Sequence, residues 1–366
     1  MRILGLRKAE KLFTIFKIMR IKINGQNCTF FTEGNIQLKL DSIASIFSFK
    51  ARFNPENDLH KELFKPLQYH KVEIFNSKDK LIFTGTILNH SFESDKDIHL
   101  VSISGYSLSG ILEDVTIPPN QYPLESTNRS LKDIANKLCG YFGIKVIIDD
   151  SVKNDVGTNF KKTVASPTDT IKGYISKLTS QKNVVLSHNA KGNVVLFKPN
   201  DNMKPRYFFN AENSISMSSS YNGQGLHSHI SVVRQPSGEN SGTTTVDSIA
   251  NPLIGQYRPT TKVLSSGEDT DTKKAADNEL SSELSSITRN VKLVGLFDEI
   301  FPGEIVNIHS HETYSFAYSR YMVSDVTLNF NEREETTDLN LVLPETFTGK
   351  VPANILFYYK THLTDN

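Results

Sequence analysis

SLKDIANKLCGYFGIKVIIDD, residues 130–150, decides the reading of this chain, because helix and strand signals alternate there while both flanks read as β-structure. Ser130 followed three residues later by Asp133 satisfies free amides at a helix start, as in a capping box. Leu131, Ile134, Ala135, Leu138 and Phe142 recur at helical spacing. Gly140 and Gly143 tolerate a left-handed turn, and Ile144, Val146 and Ile148 then alternate as a strand. The same grammar returns in SPTDTIKGYISKL. Here Ser166 is the expected cap, Pro167 the first helical residue, and Ile171, Tyr174, Ile175 and Leu178 the buried stripe. VVLSHNAKGNVVLFKP gives two apolar runs about a turn with Asn189 and Gly192, a hairpin signal. Residues 120–205 are therefore expected to form a small α+β insert.

Outward from the insert the period changes to two. Ile36, Leu38 and Leu40 alternate with polar residues, as do Phe47, Phe49, Ala51 and Phe53. VEIF, a polar turn at residues 76–80 and LIFTGTIL make a hairpin, and HLVSISGYS adds a strand. Beyond the insert, FFNAENSISMSSSYNGQGLHSHISVV resumes the pattern, and residues 235–255 read as a long exposed loop. A helix is expected at about 271–288, with Ala276, Leu280, Leu284 and Ile287 on one stripe. Four strands follow, with Met322, Val326, Leu328 and Phe330, then Leu339, Leu341 and Leu343, facing one way. Such a sheet wraps one apolar face around a core and leaves the other for water or a neighbour. Residues 1–18 read as a basic amphipathic extension, too often broken by charge for a signal core or a membrane span.

Length and charge bound the function. A chain of 366 residues suggests two to three domains. A formal net charge of +1 disfavours a sequence-specific nucleic-acid binder, which needs a basic excess. Cys28 and Cys139 match no metal spacing and read as free thiols in a reducing compartment.

The order of these pieces resembles the baseplate hub proteins of contractile-tailed phages, in the Mu-like and late-control-D group, and the related part of type VI secretion spikes. The residues that carry the resemblance are IQLKLDSIASIFSFKARF, VSISGYSLSGILEDVTIPP, the two helix-then-strand units and NVKLVGLFDEIFPGEIVNIHS, in that order, over about residues 19–349. The resemblance implies a mainly β fold, with two tube-like antiparallel β-barrel domains at 19–115 and 206–347 flanking the α+β insert, and a tail at 348–366. It implies a homotrimer adapting a six-fold tail tube protein to a three-fold central spike protein around a DNA channel. Baseplate wedge proteins, and the tape measure protein, are further expected partners, and the expected location is the virion tail baseplate after assembly in the host bacterial cytoplasm. The basic extension departs from the pattern, and no spike or lysozyme domain is expected after Phe347, so a separate spike is expected. The hub of a phage-derived injection or type VI-like system is the alternative.

No catalytic, cofactor or metal residues are expected. GYSLS around Ser107 approaches a nucleophile elbow but has Ser109 where glycine is required. His227 with His229, and His309 with His311, are spaced to share a strand face and read as a wet polar surface, with an ion on a trimer axis as the minor alternative. Asp149 with Asp150, and Glu332, Glu334 and Glu335, read as solvated loop charges rather than a glycosidase pair. A cell-wall glycan-binding module in the insert, or a peptidoglycan hydrolase, is the competing class. Tyr141, Phe142 and Tyr174 are its few aromatics, two of them on core stripes. The residues expected at an interface are Asp298, Phe301, Pro302 and Gly303, where DEIFPG places an exposed phenylalanine beside a Pro-Gly turn, and the loop at 235–255 is expected to reach the tube or a wedge protein.

Overall fold

Period-two alternation in the first hundred residues becomes seven strands: β1 (Arg20–Ile23), β2 (Gln26–Cys28), β3 (Phe31–Lys39), β4 (Ile46–Arg52), β5 (Lys71–Phe75), β6 (Leu81–Ser94) and β7 (His99–Ser107). A short helix, α1 (Asp58–Leu63), joins β4 to β5, capped by the Asn57 side chain. The structure is a computed structural model that describes residues 19–96, 98–121, 125–234, 245–264, 271–315 and 320–353. The extension at 1–18 and the tail from 354 lie outside the described residues. Ile36, Leu38, Phe47, Phe49 and Ala51 are buried in one core, as their spacing predicts.

The insert begins with α2 (Ile111–Asp114) and continues through β8 (Glu125–Ser130), α3 (Leu131–Gly140), β9 (Val146–Ile148), α4 (Lys153–Gly157), β10 (Asn159–Val164), α5 (Ile171–Gln181), β11 (Val185–His188) and β12 (Val194–Phe197). Ser130 caps α3, its hydroxyl oxygen accepting from the Asp133 amide at 3.1 Å, and Gly143 takes the left-handed turn at φ +71°. The second helix starts later than expected. Thr170, not Ser166, is its cap, accepting from the Gly173 amide at 3.0 Å, while Ser166 and Asp169 bond each other in a preceding turn. The stripe of Ile171, Tyr174, Ile175 and Leu178 is buried against Leu131, Ile134, Ala135 and Leu138, giving the insert its own core. β11 and β12 form the expected hairpin, and β9 joins β12 in parallel.

After the insert come β13 (Tyr207–Phe209), β14 (Ser216–Tyr221), β15 (His229–Arg234), β16 (Thr245–Ala250), β17 (Pro259–Leu264), α6 (Thr272–Leu284), β18 (Ile287–Val294), β19 (Ile305–Ile308), β20 (Arg320–Phe330) and β21 (Glu335–Val342). Three expectations are corrected here. Part of the expected loop is strand, since β16 pairs with β15 in a side sheet completed by β17; residues 235–244 lie outside the described residues. The helix stops at Leu284, so Ile287 opens β18 instead of closing the helical stripe. A bulge between Val323 and Asp325 turns Met322 away from Val326 and Leu328, into a second cluster with Leu40, Ile305, Val342 and Phe347.

The mainly β class with an α+β insert is what the structure shows, and the two strand-rich regions are moreover continuous. One 13-stranded sheet runs β14-β18-β21-β20-β3-β4-β7-β6-β5-β1-β2, with β19 and β13 attached beside β20. Its two halves meet where β20 pairs antiparallel with β3, from Asp325 opposite Lys39 to Phe330 opposite Gly34. Gly34 is required there: a Cβ on it would lie 2.3 Å from the Phe330 ring. One apolar core, with Phe31, Phe47, Phe49, Val326, Leu328, Leu339 and Leu341, fills the covered face across both halves. Burying each such side chain contributes about 2 kcal/mol.

His188 fixes the insert to this sheet. Its Nδ1 lies 2.7 Å from the Ser42 carbonyl, which only accepts, so Nδ1 carries the proton and Nε2 accepts from the Ser45 hydroxyl at 2.8 Å. Burial holds the His188 pKa below the usual imidazole value. Because the depressed pKa favours the neutral form in the folded state, this contribution is present above the unfolded value of about 6.5 and is lost as pH falls below it. Thermal unfolding is therefore expected to show stability dropping below about pH 6.5, with a shallower drop in His188→Gln.

Candidate functional site

The alternation that buries one face of the sheet sets short polar side chains on the other. Rows read across the strands place Ser218, Asn290, Asn340, Asp325 and Lys39 side by side. The next rows bring together Thr327 and Gln37, then Asn329, Asn35, Ser48, Ser104 and Asn89. Hydrogen bonds knit them laterally. Asn35 Nδ2 donates to Asn329 Oδ1 at 2.5 Å, Asn329 Nδ2 to Asp338 Oδ2 at 2.9 Å, Asn340 Nδ2 to Asp325 Oδ2 at 3.0 Å, and Asn89 Nδ2 to Ser104 Oγ at 3.2 Å.

Over the eight strands from β14 to β6 charge on this face balances. The registers put Lys39, Lys50, Arg52 and Lys292 on it, and Glu33, Glu93, Asp325 and Asp338; β5 and β1 beyond them add Lys71, Glu73, Lys22 and Arg20. Lys50 and Glu93 approach to 3.7 Å. In this face lies a depression of about 520 Å³ lined by Asn35, Ser48, Lys50, Asn89, Ser104 and Asn329 among others. Short, mutually bonded amides and hydroxyls without net charge offer a passing polyanion neither a phosphate clamp nor a repulsive field.

The residues with chemical potential are used structurally. Ser107 is buried; its hydroxyl oxygen accepts from the Ser45 amide at 3.0 Å, which ties β7 to the start of β4. Cys28 and Cys139 are buried free thiols, burial pushing their pKa values up to about 11 and about 12. His227 precedes β15 and bonds Glu283 through Nδ1 at 2.7 Å, while His229 opens the strand with its ring 5.5 Å from that of Tyr257. His309 and His311 follow β19 with ring centroids 4.8 Å apart. Among the described residues no three His, Cys, Asp or Glu side chains gather as metal ligands. Asp149 bonds the Ser151 amide at the start of a short 3-10 turn. The insert carries a groove of about 770 Å³ between β8 and α3. Tyr174, at its floor, is 3 % exposed and bonded to Thr163, so it presents no sugar platform.

The loop at 298–303 is held within the chain. It docks on its own chain, against the turn at 76–80. Asp298 is buried and its carboxylate accepts from the Ser77 amide at 2.6 Å and the Ser77 hydroxyl at 2.9 Å. Phe301 is half-buried against the core, with Lys80 Nζ 4.5 Å from its ring centroid, and Gly303 takes φ +92°. Pro302 and Gly303 stay half-exposed. What the sequence reading passed over is the polar face itself, whose signal is the run of Ser, Asn and Thr at the alternate strand positions.

This geometry has known counterparts. Residues 109–198 match the family model described as the second domain of gp44-like baseplate hub proteins. The fold is similar to that of the 43 kDa tail protein of prophage MuSo2 from Shewanella oneidensis, at 17 % identity and TM-score 0.73, covering 90 % of this chain and 99 % of that one. The tail protein from Neisseria meningitidis is similar at 16 % identity and TM-score 0.72, covering 91 % and 98 %. A type VI secretion component of Escherichia coli, described as similar to phage T4 tail proteins gp27 and gp5, aligns at 10 % identity and TM-score 0.56, covering 92 % and 80 %. No curated protein matches the sequence. The middle of the chain is thus similar to the second domain of gp44-like hub proteins, and the fold of the chain as a whole is similar to that of phage tail proteins, as its resemblance implied.

Asp298→Ala is expected to lower stability by about 2 kcal/mol, as the loss of two hydrogen bonds to a buried carboxylate should. A shifted urea midpoint with unchanged slope would show it.

Proposed function

We propose that this chain is a structural baseplate hub of a contractile phage tail, and that three copies form a ring whose polar face lines the channel for DNA. The polar face, charge-balanced from β14 to β6, carries this reading, because DNA must slide past it without being held. The match to a hub domain and the likeness to tail proteins support the setting. Each chain supplies two four-stranded units to the face, so a trimer offers six to a six-fold tail tube and three-fold symmetry to a spike. Wedge and tape measure proteins are the further partners, and the protein's role is structural rather than catalytic. The likeness to a type VI component supports the hub of a phage-derived injection system as the second reading.

Light scattering on the purified chain, alone and with its spike, is expected to give the mass of three copies; a chain monomeric under both conditions contradicts the ring. A triple variant, Ser48→Lys, Ser104→Lys and Gln37→Lys, is expected to assemble normally yet slow genome ejection, with the defect relieved by salt. Normal ejection from such particles contradicts the channel assignment.

A further inference from the structure

The side sheet of β15, β16 and β17 turns its charges inward. Asp247 accepts from the Thr272 hydroxyl of α6, and Lys262 Nζ lies 3.7 Å from Glu279 Oε2 on the same helix. Val232 packs beside them against Ala275 and Ala276. Along the three strands, the face turned away from α6 carries no fixed charge among the described residues. Ladder partners place Val233, Val246 and Val263 in one row across it, and Ser231, Ser248 and Thr261 in the next.

A sheet with one wet face ordinarily keeps its apolar side chains inside and its charges outside. Here Val246 and Val263 are 52 % and 58 % exposed on the outer face. The third row is His229, Ala250 and Pro259, and beside it Tyr257 is 74 % exposed, its ring 5.5 Å from that of His229. Ser231 and Ser248 bond each other at 2.8 Å, so the middle row is satisfied and asks for no charged partner. Short and branched side chains leave the face flat, and an exposed apolar surface of this kind marks an interface.

The size of the face decides what can cover it. Three six-residue strands make a patch of about 14 Å by 20 Å, or about 280 Å². Two copies joined face to face would bury about 560 Å², under half of the roughly 1,200 Å² at which stable pairs begin, so a second copy does not suit it. An α-helix with its side chains is about 10–12 Å wide, and about 13 residues of it span 20 Å. The inner face already shows the fit, because α6 lies along it with 13 residues.

We propose that this outer face docks one amphipathic helix of a partner protein in the tail, with an uncharged stripe of small and aliphatic side chains at helical spacing. The side sheet then becomes the middle of three layers, with α6 on one side and the partner helix on the other. The valine row meets the apolar stripe, the hydroxyl row admits close approach, and Tyr257 supplies the aromatic anchor at one end. The proposal rests on the hub reading for the particle that holds the partner. It adds a contact on a sheet separate from the one assigned to the channel.

The test is Ser248→p-benzoylphenylalanine in the full-length chain, cross-linked by light within purified tail particles. Mass spectrometry is expected to find the adduct in one segment of a different tail protein, with apolar residues three and four apart and no charge among them. Val246→Lys with Val263→Lys, at exposed positions, is expected to leave circular dichroism and the oligomer mass unchanged while lowering the yield of infectious particles about tenfold or more. An adduct with another copy of this chain, with a segment lacking helical spacing, or with no protein at all overturns the docking, as does a normal yield from the double lysine variant. The hub reading stands in each of those cases. Tail particles that do not contain this chain overturn both.

Discussion

The six residue pairs that join β20 to β3 are the constraint on which the rest depends. They make one sheet of two halves, and the absent side chain of Gly34 admits the Phe330 ring that seals the core beneath them. A one-residue slip would send Val326, Leu328, Ile36 and Leu38 to the polar face, so the apolar pattern itself enforces the register. The bulge after Val323 then re-aims Met322 and lets the lower part of β20 serve a different cluster, shared with Phe347 and the insert side.

From that register follows the character of the two faces. The apolar face is filled by phenylalanine and branched aliphatic side chains contributed by both halves. From β14 to β6 the other face is paved with amides and hydroxyls that bond along the rows, with as many acids as bases. A neutral surface of short, satisfied groups is an unusual use of a large sheet, because exposed strands usually carry long charged chains. It suits a wall past which a polyanion moves.

Local structure was legible where local chemistry decides it. The Ser130 cap, the hairpin about Gly192 and the bounds of β7 all follow from residues within a few positions of each other. Ser166 misled because Ser-Pro-Thr-Asp satisfies the rule for a helix start as well as Thr170 does, and only the Ser166–Asp169 turn settles which is used. β16 was hidden in a Ser- and Thr-rich passage whose strand exists through pairing with β15. Phe301 looked free because its cover, the turn at 76–80, is more than two hundred residues away. The polar face escaped for the same reason: its meaning lies in rows across strands, and the β20–β3 pairing that continues them has no local signal.

Electron cryomicroscopy of the assembled baseplate tests the account most directly. The account predicts copies ringed about the tail axis with Asn35, Ser48, Ser104 and Asn329 facing the lumen and the insert outside it. A ring with that face turned outward, against neighbouring proteins, would contradict it.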